Sequence, residues 1–330
     1  MTGQRRILIL GAGGFVGGHL LRHLHQAFAD DTTFVATGRI GGLDLVPLDV
    51  LDLPALSRTL AEVQPTHVIN LAAIASPRAA NADPLAAHRL HTLAPAEIGR
   101  ILLQTAPAAW LVNIGTGTVY GRPLSPTAAF REDSPTHPVD IYGSTKLLGD
   151  LLLRDLCTQG LRAVLLRPFN HAGPGQDTSF ALASFAQQIA AAEIGLRPPV
   201  IEVGTLTAER DYLDVRDVAS AYGAVIAATD HLTPGTILNV ASGTTRSLQA
   251  LLDGLLAQSR LQIEVRVTEA RRNPAEIPYL CGDSSALRRL TGWSPVIPTD
   301  QTLRDTLDYW RAQLVASRPD QPATSTPRTS

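Results

Sequence analysis

Tyr142 and Lys146 stand four residues apart in the stretch Tyr142-Gly-Ser-Thr-Lys146, whose surroundings read as helix. At that spacing two side chains lie one above the other on a single helix face. The lysine ammonium favours the phenolate, so Tyr142 is expected to fall from its ordinary value near ~10 towards working pH. A phenol tuned in this way can pass a proton to or from a carbonyl oxygen. Upstream, Gly115-Thr-Gly-Thr-Val-Tyr-Gly121 brings two hydroxyls to the end of a strand. Thr116 could donate to the oxygen that Tyr142 serves, Thr118 competes for that place, and either could simply be a turn hydroxyl. A Y-x-x-x-K pair recurs by chance on solvated helices, so the elements around it must decide.

Those elements alternate. Ile7-Leu-Ile-Leu10 is the apolar run of a parallel strand covered on both faces. Gly11-Ala-Gly-Gly-Phe-Val-Gly17 follows, then a helical pattern over His19–His25. Strand, glycine turn and helix is the context of a dinucleotide-binding turn, here spaced G-x-x-G-x-x-G. Gly11 allows the tight turn, Gly14 lets backbone approach a pyrophosphate, and Gly17 lets helix and strand pack closely. Phe15 and Val16 open a helix whose N-terminal N–H groups and dipole suit phosphate.

The second strand, Thr33–Thr37, ends in Gly38-Arg39. An acidic residue there would hold a ribose 2′-hydroxyl, whereas an arginine accommodates a 2′-phosphate. Arg39, unless it is a plain surface arginine, therefore favours NADP(H) over NAD(H). Leu48–Asp52 reads as a short third strand and loop, with Asp49 and Val50 bordering the adenine. His67–Ala73 reads as the fourth strand, and a nicotinamide nucleotide could pass over Leu71, Ala72 and Ala73 at its end. A helix over Ala86–Thr105, a strand over Ala109–Ile114, the helix Tyr142–Leu156 and a strand over Leu161–Arg167 complete the series. The fold class is α/β, a Rossmann-type doubly wound parallel sheet whose strand C-termini form the ligand edge.

From Pro168 the character changes. The turn-rich Pro168–Gln176 leads to a periodic helix, Phe180–Glu193, and short strands follow at Val200–Val203 and Tyr212–Val215. A helix over Asp217–Ala228, a strand over Ile237–Val240 and a helix over Leu248–Ser259 come next. Residues 1–167 are expected to form the NAD(P)-binding domain, with about 211–240 returning to it. Residues 168–316 form a smaller, partly interleaved α/β substrate-binding lobe. Residues 317–330, mostly Pro, Thr, Ser, Ala and Gln, are too polar to pack and read as a disordered tail.

A net charge of −2 over 330 residues gives no reason to expect nucleic acid or an anionic membrane as partner. Cys157 and Cys281 match no metal spacing and are too few for a disulfide framework. The N-terminus lacks a signal-peptide pattern and no apolar run reaches the ~18 residues of a membrane span. A cytoplasmic enzyme is expected.

The motifs Gly11-x-x-Gly14-x-x-Gly17, Thr116 before Val119-Tyr-Gly121, Tyr142-x-x-x-Lys146, Arg167-Pro-Phe-Asn170 and Arg210-Asp-Tyr-Leu-Asp-Val-Arg-Asp217 together resemble the extended short-chain dehydrogenase/reductases, the NAD-dependent epimerase/dehydratase family. The likeness covers Arg6–Leu314. Within that family, Arg167–Gln176, Ser184–Ala190, Thr291-Gly-Trp-Ser-Pro295 and Leu307–Arg311 are most similar to GDP-4-keto-6-deoxy-D-mannose reductases. The resemblance implies that Tyr142 is the general acid, that Lys146 holds the nicotinamide ribose and tunes Tyr142, and that Thr116 orients a keto oxygen. It places Pro168 at the cofactor, and Thr118, Asn170, Phe180, Arg210, Arg272 and Glu276 at a nucleotide-sugar, with Arg210 facing the diphosphate. Arg210 could otherwise pair with Asp211 or Asp214. The family's dimer, built on the two helices over Ala86–Thr105 and Tyr142–Leu156, implies a homodimer here.

Two positions depart from the pattern. Asn273 stands where the family usually has an arginine before a proline, leaving Arg272 to substitute, and His91 stands where an asparagine is common, most simply as a packed residue. Gly117-Thr118 after Thr116 disfavours a 4,6-dehydratase, which carries an acid there. A nucleotide-sugar 4-epimerase with tightly bound NAD remains the alternative. A non-catalytic dinucleotide-binding protein would have no need of Thr116, Tyr142 and Lys146 together.

Overall fold

The computed structural model describes residues 4–28, 32–42, 44–123, 127–269 and 277–317. The first half runs β1 (Arg5–Leu10), α1 (Phe15–Ala27), β2 (Thr32–Gly38), β3 (Val46–Pro47), α2 (Leu53–Val63), β4 (His67–Asn70), α3 (Pro77–Ala82), α4 (Pro84–His88), a π turn (Arg89–Leu93), α5 (Ala94–Thr105) and β5 (Trp110–Ile114). A 3₁₀ turn (Gly117–Tyr120), α6 (Ile141–Thr158) and β6 (Arg162–Pro168) follow. The rest comprises β7 (Asn170–Ala172), α7 (Ala181–Glu193), β8 (Val200–Val203), β9 (Glu209–Asp214), α8 (Val215–Ala228), a 3₁₀ turn (Thr229–His231), β10 (Thr236–Val240), β11 (Thr245–Ser247), α9 (Leu248–Leu256), β12 (Glu264–Val267), β13 (Tyr279–Leu280), α10 (Ser285–Thr291) and α11 (Thr299–Ala316).

Seven strands form one parallel sheet in the order β10-β6-β5-β4-β1-β2-β3. The order reverses between β1 and β4, the switch point where ligands bind in doubly wound sheets. Strand period 2 divides the core. Ile7 and Ile9 of β1 pack with Leu20, Leu24, Val218 and Tyr222 on one face. Leu8 and Leu10 pack with Leu56, Leu60, Ile98 and Leu153 on the other. Each fully buried leucine or isoleucine contributes about 1.5–3 kcal/mol, so both faces hold the sheet flat against its helices. A smaller core of α7, β8, α9 and α11 gathers Leu182, Phe185, Ile189, Leu251, Leu252 and Leu307. Among the described residues no helix is long and apolar enough to cross a membrane.

Three expectations are corrected. The third strand is Val46–Pro47, not Leu48–Asp52; the latter is a loop in which Asp49 and Asp52 use their carboxylates locally, on Leu51 N and Ala55 N. The fourth strand stops at Asn70, because the Asn70 side chain accepts from Ala72 N and turns the chain out of the sheet. The helix expected over Ala86–Thr105 is broken by the π turn. Pro95 has no N–H for the carbonyl four residues back, His91, so the regular ladder fails there. The His91 carbonyl then faces α6, and a Cβ on Gly149 would lie 2.2 Å from it. That close crossing sets α6 beside the sheet. Asn273 and the polar tail from residue 318 lie outside the described residues.

Candidate active site

The first turn of α6 is built to hold Tyr142. Asp140 caps the helix, its carboxylate accepting from Gly143 N at 2.8 Å. Tyr142 and Lys146 then enter one cavity of about 670 Å³ at the C-terminal edge of the sheet. Thr116 and Thr118 reach the same cavity from the turn after β5. Their hydroxyls are 3.1 Å apart, and Thr116 Oγ1 accepts from Thr118 N at 3.2 Å, so Thr116 serves the turn and the cavity together. The Thr116 hydroxyl also acts on the Tyr142 phenol and lowers it.

Electrostatics here differ from expectation. Tyr142 is pushed up to about 12, chiefly by burial, with Thr116 opposing and Asp140 adding to the rise. Lys146 does not draw it down. The Lys146 ammonium is turned to the Ile114 carbonyl, donating at 2.8 Å, and is itself lowered to about 8 by burial. Desolvation disfavours whichever form carries charge, so it moves the phenol and the ammonium in opposite directions. Tyr142 is a loaded proton donor.

At the other end the glycine turn joins the cavity. Gly11, at φ +76°, brings its Cα so close to the next loop that a Cβ would sit 2.7 Å from Ala72 N. A Cβ on Gly17 would lie 2.1 Å from the Ala12 carbonyl, which is how α1 packs on the turn. No side chain caps α1 and its first turn holds no acidic residue, which leaves its positive end to an anion. The fit to a dinucleotide is good. Gly11, Gly14, Phe15, Val16, Gly17, Arg39, Asp49, Val50, Leu71, Ala72, Ala73 and Pro168 all line the same cavity as Tyr142 and Lys146. Arg39 is exposed at its rim.

Of the residues expected at a substrate, Thr118, Asn170 and Phe180 line the cavity. Arg210 does not; it stands on β9, half-buried, opposite the cavity residue Leu280, with Nη1 donating to the Glu209 carbonyl at 2.9 Å. Asp211 and Asp214 are engaged elsewhere, Asp211 by Ser242 and Gly243 and Asp214 by Arg216. Arg272 and Glu276 lie outside the described residues. His91 is packed. It is 1% exposed and lowered to about 3, mainly by burial. Its Nε2 accepts from Ile74 N at 3.0 Å, so Nδ1 carries the proton and donates to Thr145 Oγ1 at 2.9 Å.

His171 and Gln176 also line the cavity, a placement no local pattern in the sequence shows. His171 stacks on Phe15 with centroids 6.1 Å apart, and Gln176 Nε2 donates to the His171 carbonyl at 2.9 Å. His19 Nε2 meets the Pro174 carbonyl at 2.9 Å, so the turn after β7 is seated on the start of α1. Outside the cavity lining, the buried Asn70 and Asn113 bond to each other across the ends of β4 and β5. Two asparagines closing otherwise apolar strands were a readable signal.

Comparison with known proteins agrees with this geometry. The NAD dependent epimerase/dehydratase family model matches residues 7–241. The chain is 32% identical over 311 residues to GDP-6-deoxy-D-mannose reductase of Pseudomonas aeruginosa, covering 94% of this chain and 98% of the relative. It is 31% identical to a UDP-glucose 4-epimerase of Azospirillum brasilense, covering 88% of this chain and 87% of that one. The NADPH complex of RMD from Pseudomonas aeruginosa superposes with a TM-score of 0.84 at 30% identity, covering 94% of this chain and 99% of that one. With its glycine turn, its Tyr142–Lys146 helix and a family match over most of its length, the chain belongs to the NAD dependent epimerase/dehydratase family.

Proposed function

We propose that the protein is a nucleotide-sugar 4-ketoreductase that reduces a GDP-4-keto-6-deoxy-hexose at C4 with NADPH. One observation carries the reading. A phenol held in its protonated form, Tyr142, shares a cavity with Thr116, Lys146 and the whole glycine turn. Reduction of a ketone needs a proton for the nascent alkoxide, and Tyr142 supplies it as general acid. Thr116 donates to the keto oxygen and aligns it with the phenol. Lys146 presents an ammonium that can hold a ribose hydroxyl and stabilise the phenolate left after transfer. The dinucleotide, when bound, supplies the hydride. The uncapped start of α1 would hold its diphosphate, and Arg39 would meet a 2′-phosphate. Asn170, Phe180 and Arg210, with Arg272 and Glu276, are assigned to the nucleotide-sugar.

The relative active on GDP-6-deoxy-D-mannose, aligned over 98% of its length, supports the GDP-sugar. The 4-epimerase of similar identity keeps a second reading open, in which NAD stays bound and the 4-keto sugar rotates. We further assign residues 1–167, with about 211–240, to cofactor binding and 168–316 to substrate binding. A cytoplasmic homodimer fits the exposed Leu93 (53%), Leu148 (41%) and Leu151 (49%) on the π turn and α6. The test is NADPH absorbance with GDP-4-keto-6-deoxy-mannose generated in place from GDP-mannose by a separate dehydratase. Stoichiometric NADPH loss with a new GDP-6-deoxyhexose is expected, and its C4 configuration identifies the product. No oxidation, together with 4-epimerisation of a UDP-sugar, would replace this reading with the second.

A further inference from the structure

The buried face of α6 carries a third ionisable group that the mechanism leaves unused. Tyr142, Lys146 and Asp150 follow at four-residue steps and stack along one face. Asp150 is 1% exposed and Lys146 7%. Asp150 Oδ2 accepts from Arg167 Nε at 3.1 Å, and Arg167 is buried too. The second oxygen, Oδ1, is fully enclosed and has no hydrogen-bond partner. It lies against Gly115, where a Cβ would stand 3.3 Å from it. Lys146 Nζ donates to the carbonyl of the preceding residue, Ile114. Carboxylate and ammonium therefore flank one peptide, Ile114–Gly115, immediately before Thr116.

A buried carboxylate with an unpartnered oxygen costs stability unless a cation faces it, and a buried ammonium has the converse need. We propose that Asp150, anchored by Arg167, is the counter-ion that keeps the Lys146 ammonium charged and turned to the Ile114 carbonyl. Asp150 is thus a positioning residue acting through Lys146, and the inference rests on the role given to Lys146 above. Burial pulls Lys146 down to about 8 and pushes Asp150 up; Arg167, Lys146 and Arg154 oppose the rise of Asp150, and Asp150 is the charge that opposes the fall of Lys146. Around the pair stand Tyr142, protonated, on α6; His91, neutral, from the π turn; Arg167 from β6; and Arg154 further along α6. The nearby anion Asp140 acts on the Tyr142 phenol instead.

Lys146 is the only lysine in the chain, so ¹³C,¹⁵N-lysine labelling gives one side-chain signal to follow with pH, without substrate or cofactor. In Asp150→Asn the midpoint should fall by about one to three pH units. A two-unit fall leaves about a tenth of the molecules charged at pH 7, against about nine tenths in the wild type. Because Asp150→Asn strands the Arg167 guanidinium, the double variant Asp150→Asn, Arg167→Gln is read beside it. Arg167 is not among the charges acting on Lys146, so the midpoint should fall there as well. Asp150→Glu should keep it within about half a unit of wild type. The high-pH limb of turnover should move with the midpoint, whereas mere misplacement would lower turnover equally at every pH.

Unchanged midpoints in the neutralised variants overturn the proposal. So does a wild-type midpoint below ~6, the range of a buried lysine without a counter-ion. A shifted midpoint in a protein that reduces no sugar keeps this inference and removes the proposed function. An unshifted midpoint in an active reductase does the reverse.

Discussion

Tyr142→Phe removes one oxygen from a ring whose other contacts survive. The ring stands edge-on to His91 with centroids 5.5 Å apart, and phenylalanine presents the same edge. Thr116 loses the phenol but keeps Thr118, at 3.1 Å to its hydroxyl and 3.2 Å to its N–H. No buried donor is orphaned, so stability should change by less than ~1 kcal/mol. Turnover should change far more. A positioned general acid contributes about 10²–10⁴-fold, which corresponds to about 3–5 kcal/mol of barrier. With the phenol pushed up to about 12, Tyr142 is protonated throughout the neutral range, so the deficit should be the same across it. The assay is steady-state NADPH oxidation with the keto-sugar generated in place, beside NADPH affinity by fluorescence and a thermal melt. A variant keeping more than about a tenth of wild-type kcat would refute the general-acid role. A loss of NADPH affinity as large as the loss of turnover would relocate the hydroxyl's work to binding.

Other perturbations test separate parts of the argument. Gly149→Ala drives a Cβ to 2.2 Å from the His91 carbonyl, so α6 must move, and urea denaturation should show a loss of about 1–3 kcal/mol. Arg39→Asp should raise the KM for NADPH by about tenfold or more while leaving that for NADH unchanged or lower, because a charged hydrogen bond is worth about 1.5–3 kcal/mol; equal effects on both cofactors would dissociate Arg39 from the 2′-phosphate. Leu151→Arg places a charge on the exposed stripe of α6, and if the proposed dimer forms, sedimentation should show the wild type as a dimer and this variant as a monomer. A wild type that sediments as a monomer at micromolar concentration removes the dimer outright.

How far the sequence could be read depends on whether the decisive interactions were local. Ile7–Leu10, the glycine turn, the strand starting at His67 and the strand ending at Ile114 announce themselves by short-range pattern, and the sheet follows from their alternation. That Gly11, Gly14 and Gly17 line the cavity was legible because a βα turn fixes its own geometry. The break in the helix at Arg89–Leu93 was not, although Pro95 was in view, because the missing bond matters only once Gly149 lets α6 approach the freed carbonyl. His171 and Gln176 were hidden for a similar reason: the Phe15–His171 stack joins residues more than 150 positions apart. The direction of the Tyr142 shift was missed because spacing gives the neighbour's charge but not the depth of burial, and burial prevails.

That inversion bears on which reaction the site performs. Tyr142 sits at about 12 and Lys146 at about 8, so below about pH 8 the phenol keeps its proton and the ammonium its charge. A reductase starts by giving a proton to a nascent alkoxide, so the resting protein is already in the form it needs. An epimerase starts by removing a proton from a sugar hydroxyl, so the same residues begin in the wrong form and gain from rising pH. The two readings therefore predict opposite limbs. Reduction should hold a plateau through the neutral range and fall above about pH 8 as a single group, Lys146, loses its proton. Oxidation-first chemistry should climb across that interval as phenolate becomes accessible. A kcat that rose through pH 8 with the keto-sugar and NADPH supplied would show that Lys146 need not be charged, and the proton inventory proposed for α6 would fail with it.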